Sequence, residues 1–184
     1  MSLKLKIGLW IFHVVPLAVR RAFFSGLASL GYRLSVKHRL IVLHNLTRAF
    51  PEKSPVEIER IAKASYRSFG LVVAEFSEIT RLNPENVHQW IRIQGLEHYD
   101  EARLKGKGVL LFSGHFGNWE IGNAALAIAR EPLIFIYRMM DSAFLEEAIP
   151  YVRASCGNVS LDKENAMRPM IRALKKGETI AILI

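Results

Sequence analysis

Apolar residues recur at helical spacing through the first eighty positions, and at shorter intervals afterwards. Val36 to Phe50 has a helical pattern that ends at Pro51. Ser54-Pro55-Val56-Glu57 is a capping box with proline at the first helical position. The apolar stripe that follows runs Ile58, Ile61, Ala62, Phe69, Val72, Val73, Phe76 and Ile79, with Ser65 filling one place. This spacing predicts a helix to about Arg81, closed by the turn-forming Asn83-Pro84-Glu85-Asn86. From there short apolar runs alternate with helical patterns, as in βαβ units. Strands are expected at Val87 to Ile93, Gly108 to Ser113, Leu133 to Arg138 and Glu178 to Ile184. Helices are expected at Leu96 to Lys105, Asn118 to Ala129, Ser142 to Ser155 and Glu164 to Lys176. The pattern predicts the α/β class: a mixed or mostly parallel sheet flanked by helices, preceded by an N-terminal membrane-associated helix. The final strand pattern stops without turn, cap or polar tail, so the chain is expected to be truncated at its C-terminus.

The N-terminal expectation comes from charge as well as hydropathy. Ile7 to Val19 is apolar but short for a span, and Arg20-Arg21 interrupts it before Ala22 to Leu30 resumes. Met1 to Pro51 carries eight Lys/Arg and no Asp or Glu, while the rest of the chain has 17 of each sign. The whole net charge of +8 therefore lies in the first quarter, interleaved with Leu, Ile, Trp, Phe and Val. That mixture suits an anionic membrane surface and argues against nucleic acid. No small-residue cleavage site follows, so residues 1–35 are read as a retained anchor, interfacial or crossing once at a tilt. The alternative is a buried N-terminal helix of a soluble protein. At 184 residues, with 51% hydrophobic residues, one sizeable core is affordable, placing a single domain at residues 36–184. The lone Cys156 excludes an internal disulfide and a multi-cysteine zinc site, and suits a reducing cytoplasm. No histidine lies near it in sequence to activate it as a nucleophile.

The densest chemistry is Gly108 to Glu120, a strand entering a glycine-flanked turn and then a helix. His115 would stand at the carboxyl end of the strand, where ligands of open α/β sheets gather. On one helix His115 and Glu120 would point about 140° apart, so they cooperate only if the chain bends. Gly114 and Gly117 permit the bend, and Asn118 is a suitable N-cap for a helix beginning at Trp119. Glu120 is then expected to reach back and hold one imidazole nitrogen while the other takes a proton from an alcohol. Amides at the helix start are candidates for stabilising an oxyanion or holding phosphate. The competing interpretation is a structural His–Glu pair. No third ligand with metal-binding spacing is evident, and Ser113 lacks the Gly-x-Ser-x-Gly elbow of hydrolases.

Ser113-Gly114-His115-Phe116-Gly117-Asn118-Trp119-Glu120 resembles the His-x4-Glu block of the late lipid A biosynthesis acyltransferases, the lauroyl and myristoyl transferases. These form part of the wider lysophospholipid acyltransferase superfamily. Asn45-Leu46-Thr47-Arg48-Ala49-Phe50-Pro51-Glu52, Gly106-Lys107-Gly108, Ile136-Tyr137-Arg138, Arg153 and Leu174-Lys175-Lys176-Gly177 extend the resemblance along the chain. It implies His115 as general base, Glu120 as its orienting partner, and an acyl carrier protein thioester as donor to a hydroxyl of a glycolipid. No cofactor is implied. Arg138 and Arg153 would bind phosphate of the acceptor or of the donor's phosphopantetheine arm. Glu75 and Asn45 fall in matching segments without an assigned role. The implied location is the cytoplasmic face of a bacterial inner membrane. An Asp-Gln motif and a further acceptor-binding region follow the last strand in that family and are absent here. Two rivals remain open at this level: an acyl-CoA-dependent acyltransferase acting on another glycolipid or lysophospholipid, and a noncatalytic membrane-surface recruitment protein.

Overall fold

A computed structural model of the protein describes residues 1–183. In chain order its helices and strands are α1 (Leu3–Val14), α2 (Leu17–Leu34), α3 (Val36–Ala49), α4 (Pro55–Glu75), α5 (Leu96–Leu104), β1 (Val109–Ser113), α6 (Trp119–Ala129), β2 (Leu133–Tyr137), α7 (Ala143–Ala154), β3 (Val159–Asp162), α8 (Met167–Lys175) and β4 (Thr179–Leu183). They form two compact units, residues 14–75 and residues 1–13 with 76–183.

The first unit is helical. Its capping box forms as expected: Glu57 accepts from the Ser54 amide at 3.0 Å and hydroxyl at 2.7 Å, and the Glu57 amide donates to Ser54 Oγ at 3.4 Å. α2 and α4 pack so closely that a Cβ at Gly70 would lie 2.5 Å from the Phe24 carbonyl oxygen. Gly70→Ala is therefore expected to destabilise this unit by about 1–3 kcal/mol, measured by chemical denaturation. Arg20 is buried, and its guanidinium donates to the Val15 and Ala74 carbonyls at 3.1 and 3.0 Å. The Ala74 bond satisfies an orphan carbonyl at the end of α4. Arg21 pairs with Glu75 at 2.7 Å, which gives Glu75 a structural partner. The helix expected to reach Arg81 tightens after Glu75 into a 3-10 helix, Phe76–Arg81. Tightening of this kind is common at helix ends.

The second unit is an α/β layer whose described strands are all parallel, in the order β1-β4-β2-β3. Leu133, Phe135 and Ile180 are almost fully buried in the two central strands. Two expectations need correction. Val87 to Ile93 is not a strand but begins as a short 3-10 turn, Val87–Gln89. Upstream, Asn83 Oδ1 accepts from the Glu85 and Asn86 amides, and Asn86 Oδ1 from the Asn83 amide. These bonds hold the backbone in turns rather than extended. Conversely, β3 pairs at the sheet edge where no strand was expected, because Val159-Ser160-Leu161-Asp162 is too short to show a pattern. The expected last strand forms from Thr179, and its end at Ile184 lies outside the described residues.

No single described helix is long and apolar enough to cross a membrane; α1 and α2 reach that length and composition only together. The run Ile7 to Val19 is split because Pro16 cannot donate a helical hydrogen bond and disfavours helix in the residue before it. Neither helix is buried all round. α1 docks on the α/β layer through Leu9, packed against the Ile79–Ile121–Val152 cluster, and through His13 Nε2, 3.2 Å from the Ser77 carbonyl, yet exposes Leu3, Ile7, Trp10, Ile11 and Val14. α2 exposes Val19, Phe23, Leu27, Leu30 and Leu34. Both sets recur at three- and four-residue spacing, so each helix presents an apolar stripe.

At the amino ends of β2 and β4, Glu131 accepts from Tyr99 Oη (2.6 Å), Thr179 Oγ1 (2.7 Å) and Arg103 Nη2 (2.5 Å), tying α5 to the sheet. Burial, with the Glu131 bond adding to it, pushes the Tyr99 pKa up to about 12. Burial is the largest influence on the Glu131 carboxyl and raises its pKa, but the bonds from Tyr99 and Thr179 with Arg103 outweigh it and leave it below the ordinary value. A raised pKa means folding favours the protonated phenol, so its contribution is complete below pH 10 and lost as pH rises towards about 12. For Glu131 the sign is opposite: stability is present above the ordinary carboxylate range and lost in acid. Denaturation midpoints followed through alkaline pH are expected to fall less steeply in Tyr99→Phe than in the parent.

Candidate active site

β1 delivers the chain to the carboxyl edge of the sheet, and Gly114 to Gly117 turn it into α6. Gly117 adopts a φ of +59°, a backbone conformation that glycine takes without strain. Asn118 caps α6 as expected, its Oδ1 accepting from the Ile121 amide at 3.2 Å. The bend puts Glu120 inward, 9% exposed, and leaves His115 on the surface.

Glu120 and Arg153 are brought together. Arg153, in the last turn of α7, donates from Nη2 to Glu120 Oε1 at 2.6 Å and from Nε to Oε2 at 3.1 Å. Only 12% and 10% of the two side chains is exposed, so this two-pronged pair is shielded from water. The guanidinium also lies 5.4 Å from the Phe135 ring centroid, and its Nη1 is buried without a hydrogen-bond partner. Arg153, read from the sequence as a phosphate ligand, is thus committed on two of its nitrogens to Glu120.

The expected His115–Glu120 hydrogen bond is not formed among the described residues. Trp119 connects them instead: its ring lies edge-on to the His115 imidazole with centroids 5.0 Å apart, and its Nε1–H donates to Glu120 Oε1 at 3.2 Å. Sequence reasoning gave Trp119 no role, although an aromatic N–H donor beside the acidic member of the motif was the available signal. Arg138 follows β2, is largely exposed, and stands 3.7 Å from Asp141 rather than in the buried pair. Cys156 sits apart from these groups, its Sγ 3.7 Å from the Ile79 carbonyl, and burial pushes its pKa up.

Beside the turn opens a cleft of about 510 Å³, lined by Arg92, Ser113, Phe116, Asn118, Trp119 and Leu126 among others. Phe116 is 93% exposed at its mouth. Arg92 was also missed, because it lay within the segment misread as a strand. The site combines an open apolar cleft lined by Gly114 and Phe116, the two neighbours of His115 in the chain, with a solvent-facing His115 imidazole and a desolvated carboxylate–guanidinium pair.

The sequence matches the family model described as bacterial lipid A biosynthesis acyltransferase over residues 4–184. The chain belongs to this acyltransferase family. It is 28% identical over 172 residues to the lipid A biosynthesis lauroyltransferase of Escherichia coli (strain K12), covering 94% of this chain and 56% of that protein. The palmitoleoyltransferase of the same organism is 23% identical over the same shares. Its myristoyltransferase is 23% identical over 164 residues, 88% of this chain and 48% of the relative. The chain thus spans about half the length of these family members.

Proposed function

We propose that the protein transfers a fatty acyl chain from acyl carrier protein to a hydroxyl of a lipid A precursor at the cytoplasmic face of a bacterial inner membrane. The observation that carries this reading is the exposed His115, whose chain neighbours Gly114 and Phe116 line an apolar cleft, together with the buried Glu120–Arg153 pair, in a chain of the lipid A acyltransferase family. His115 accepts the proton of the acceptor hydroxyl as that oxygen attacks the thioester carbonyl carbon. The Gly117 amide, in the turn just before α6, stabilises the resulting oxyanion, and the Asn118 cap fixes that turn. Collapse of the tetrahedral intermediate forms the ester and expels the thiolate, which recovers the proton from the imidazolium.

Glu120 supports the imidazolium as a fixed negative charge, transmitted in the resting state across the Trp119 indole that touches both groups. Catalytic hydrogen bonds often tighten only once substrate is bound, so a direct His115–Glu120 bond belongs to the loaded enzyme. Arg153 holds the carboxylate in place, and its buried, unsatisfied Nη1 meets a substrate phosphate only as the site opens on binding. Arg138, open to solvent, takes part in phosphate binding.

Residues 1–35 serve as the membrane anchor, and residues 36–184 form the acyltransferase domain. The exposed apolar stripes of α1 and α2, each in a basic segment, support an interfacial anchor that keeps the protein at the bilayer holding the acceptor. The donor is tested with membranes containing the protein, a lipid A precursor, and labelled fatty acid presented on acyl carrier protein or on coenzyme A. Transfer from acyl carrier protein at a much higher rate than from coenzyme A is expected; the reverse preference would replace the donor.

A further inference from the structure

We propose that a basic pocket between α2 and α4 binds the phosphate of an anionic lipid headgroup. The pocket, about 160 Å³, is lined by Ser29, Tyr32 and Arg33 of α2 and by Lys63 and Arg67 of α4. None of these lining residues is a carboxylate. The neighbouring Glu59 pairs with Lys63 at 2.8 Å, but both side chains are about half exposed, so solvent screens that pair. Arg67 Nε is 3.4 Å from Ser29 Oγ, which orients its guanidinium across the gap between the helices. A fourth cation, Arg39, donates to the Tyr32 and Arg33 carbonyls at 3.4 and 3.0 Å and lies 5.8 Å from the Tyr32 ring centroid. Like charges gathered round a cavity repel one another, and an anion seated among them reverses that cost. Two arginine forks with a hydroxyl and a lysine form a donor set matched to phosphate oxygens.

The neighbouring apolar stripe identifies the source of the phosphate as lipid. Val19, Phe23, Leu27, Leu30 and Leu34 occupy the exposed face of α2, 48% to 72% exposed. At 100° per residue, Arg33 falls on the flank of that face, about 80° from its centre, and Ser29 further round on the same side, about 120° from it. A helix lying in the interface with this stripe among the acyl chains carries its flanking cations at the depth of the lipid phosphates. The inference rests on the interfacial reading of α2 given above and adds a discrete headgroup site to it.

The test is partitioning of the whole chain onto phosphatidylcholine vesicles with and without phosphatidylglycerol. Arg33→Gln, Lys63→Gln and Arg67→Gln combined are compared with an equal charge change at exposed Lys105, Lys107 and Lys176. The pocket variant is expected to bind anionic vesicles about 100-fold more weakly, from about 1 kcal/mol per basic residue near the surface, with the control changing by less than about threefold. Circular dichroism of the variant checks that its helices persist. Equal losses in both triples would overturn the pocket in favour of diffuse attraction. Loss of inorganic phosphate binding with vesicle binding intact would overturn the lipid source, and loss of acyl carrier protein binding alone would point to a protein partner. Phe23→Ser with Leu27→Ser separates the two levels. If it weakens vesicle binding while the pocket triple does not, the pocket fails and the interfacial helix stands; if neither does, both fail.

Discussion

Replacing His115 by alanine is expected to lower acyl transfer by a factor of about 10²–10⁴, the range for loss of a positioned general base. The imidazole is exposed, and its described contact is the edge of Trp119, so thermal unfolding should shift little. The fall should appear in kcat more than in KM, because the proton is shared only in the transition state. Steady-state kinetics beside a melting curve separates this outcome from simple misfolding. A noncatalytic recruitment protein would show no activity to lose.

The largest effect on stability is expected from Arg153→Met. It leaves the Glu120 carboxylate, 10% exposed, without its two-pronged partner in a desolvated place. Breaking a buried pair from one side costs about 3–5 kcal/mol, because the remaining charge is uncompensated. Glu120→Gln combined with Arg153→Met removes both charges and should recover much of that loss. Activity should not return with it, since the charge supporting His115 is gone. Denaturation of the two single variants and the double variant gives a coupling energy, and transfer rates on the same preparations show whether stability and activity separate. If the double variant transfers acyl chains as fast as the parent, Glu120 has no part in supporting the base.

Some of this arrangement was legible in the sequence because local chemistry decides it. Ser54 to Glu57 form their cap, and Asn118 starts α6, since each signal is satisfied within a few residues. The strands β2 and β4 carry continuous apolar runs that a parallel sheet covers on both faces, and β1 carries a similar run at the sheet edge, where Leu110 and Phe112 stay exposed. What escaped depends on contacts distant in sequence or too short to leave a pattern. β3 has four residues, and the side chains of Asn83 and Asn86 held a segment with strand-like composition in turns. Arg153 could be singled out, but its partner could not. Thirty-three residues separate it from Glu120, and only the packing of α7 beside α6 turns a candidate phosphate ligand into the counter-ion of the motif's carboxylate. Arg20 is similar: it looked like an interruption of a membrane segment, and it is buried, bonded to a carbonyl at the end of α4.

The most direct measurement is mass spectrometry of a lipid A precursor incubated with acyl carrier protein thioester and membranes containing the protein or its His115→Ala form. The predicted result is an acceptor heavier by one ester-linked acyl chain with the parent protein and unchanged with the variant. An acceptor left unchanged by both, or acylated equally by both, would contradict the assignment of acyl transfer to His115.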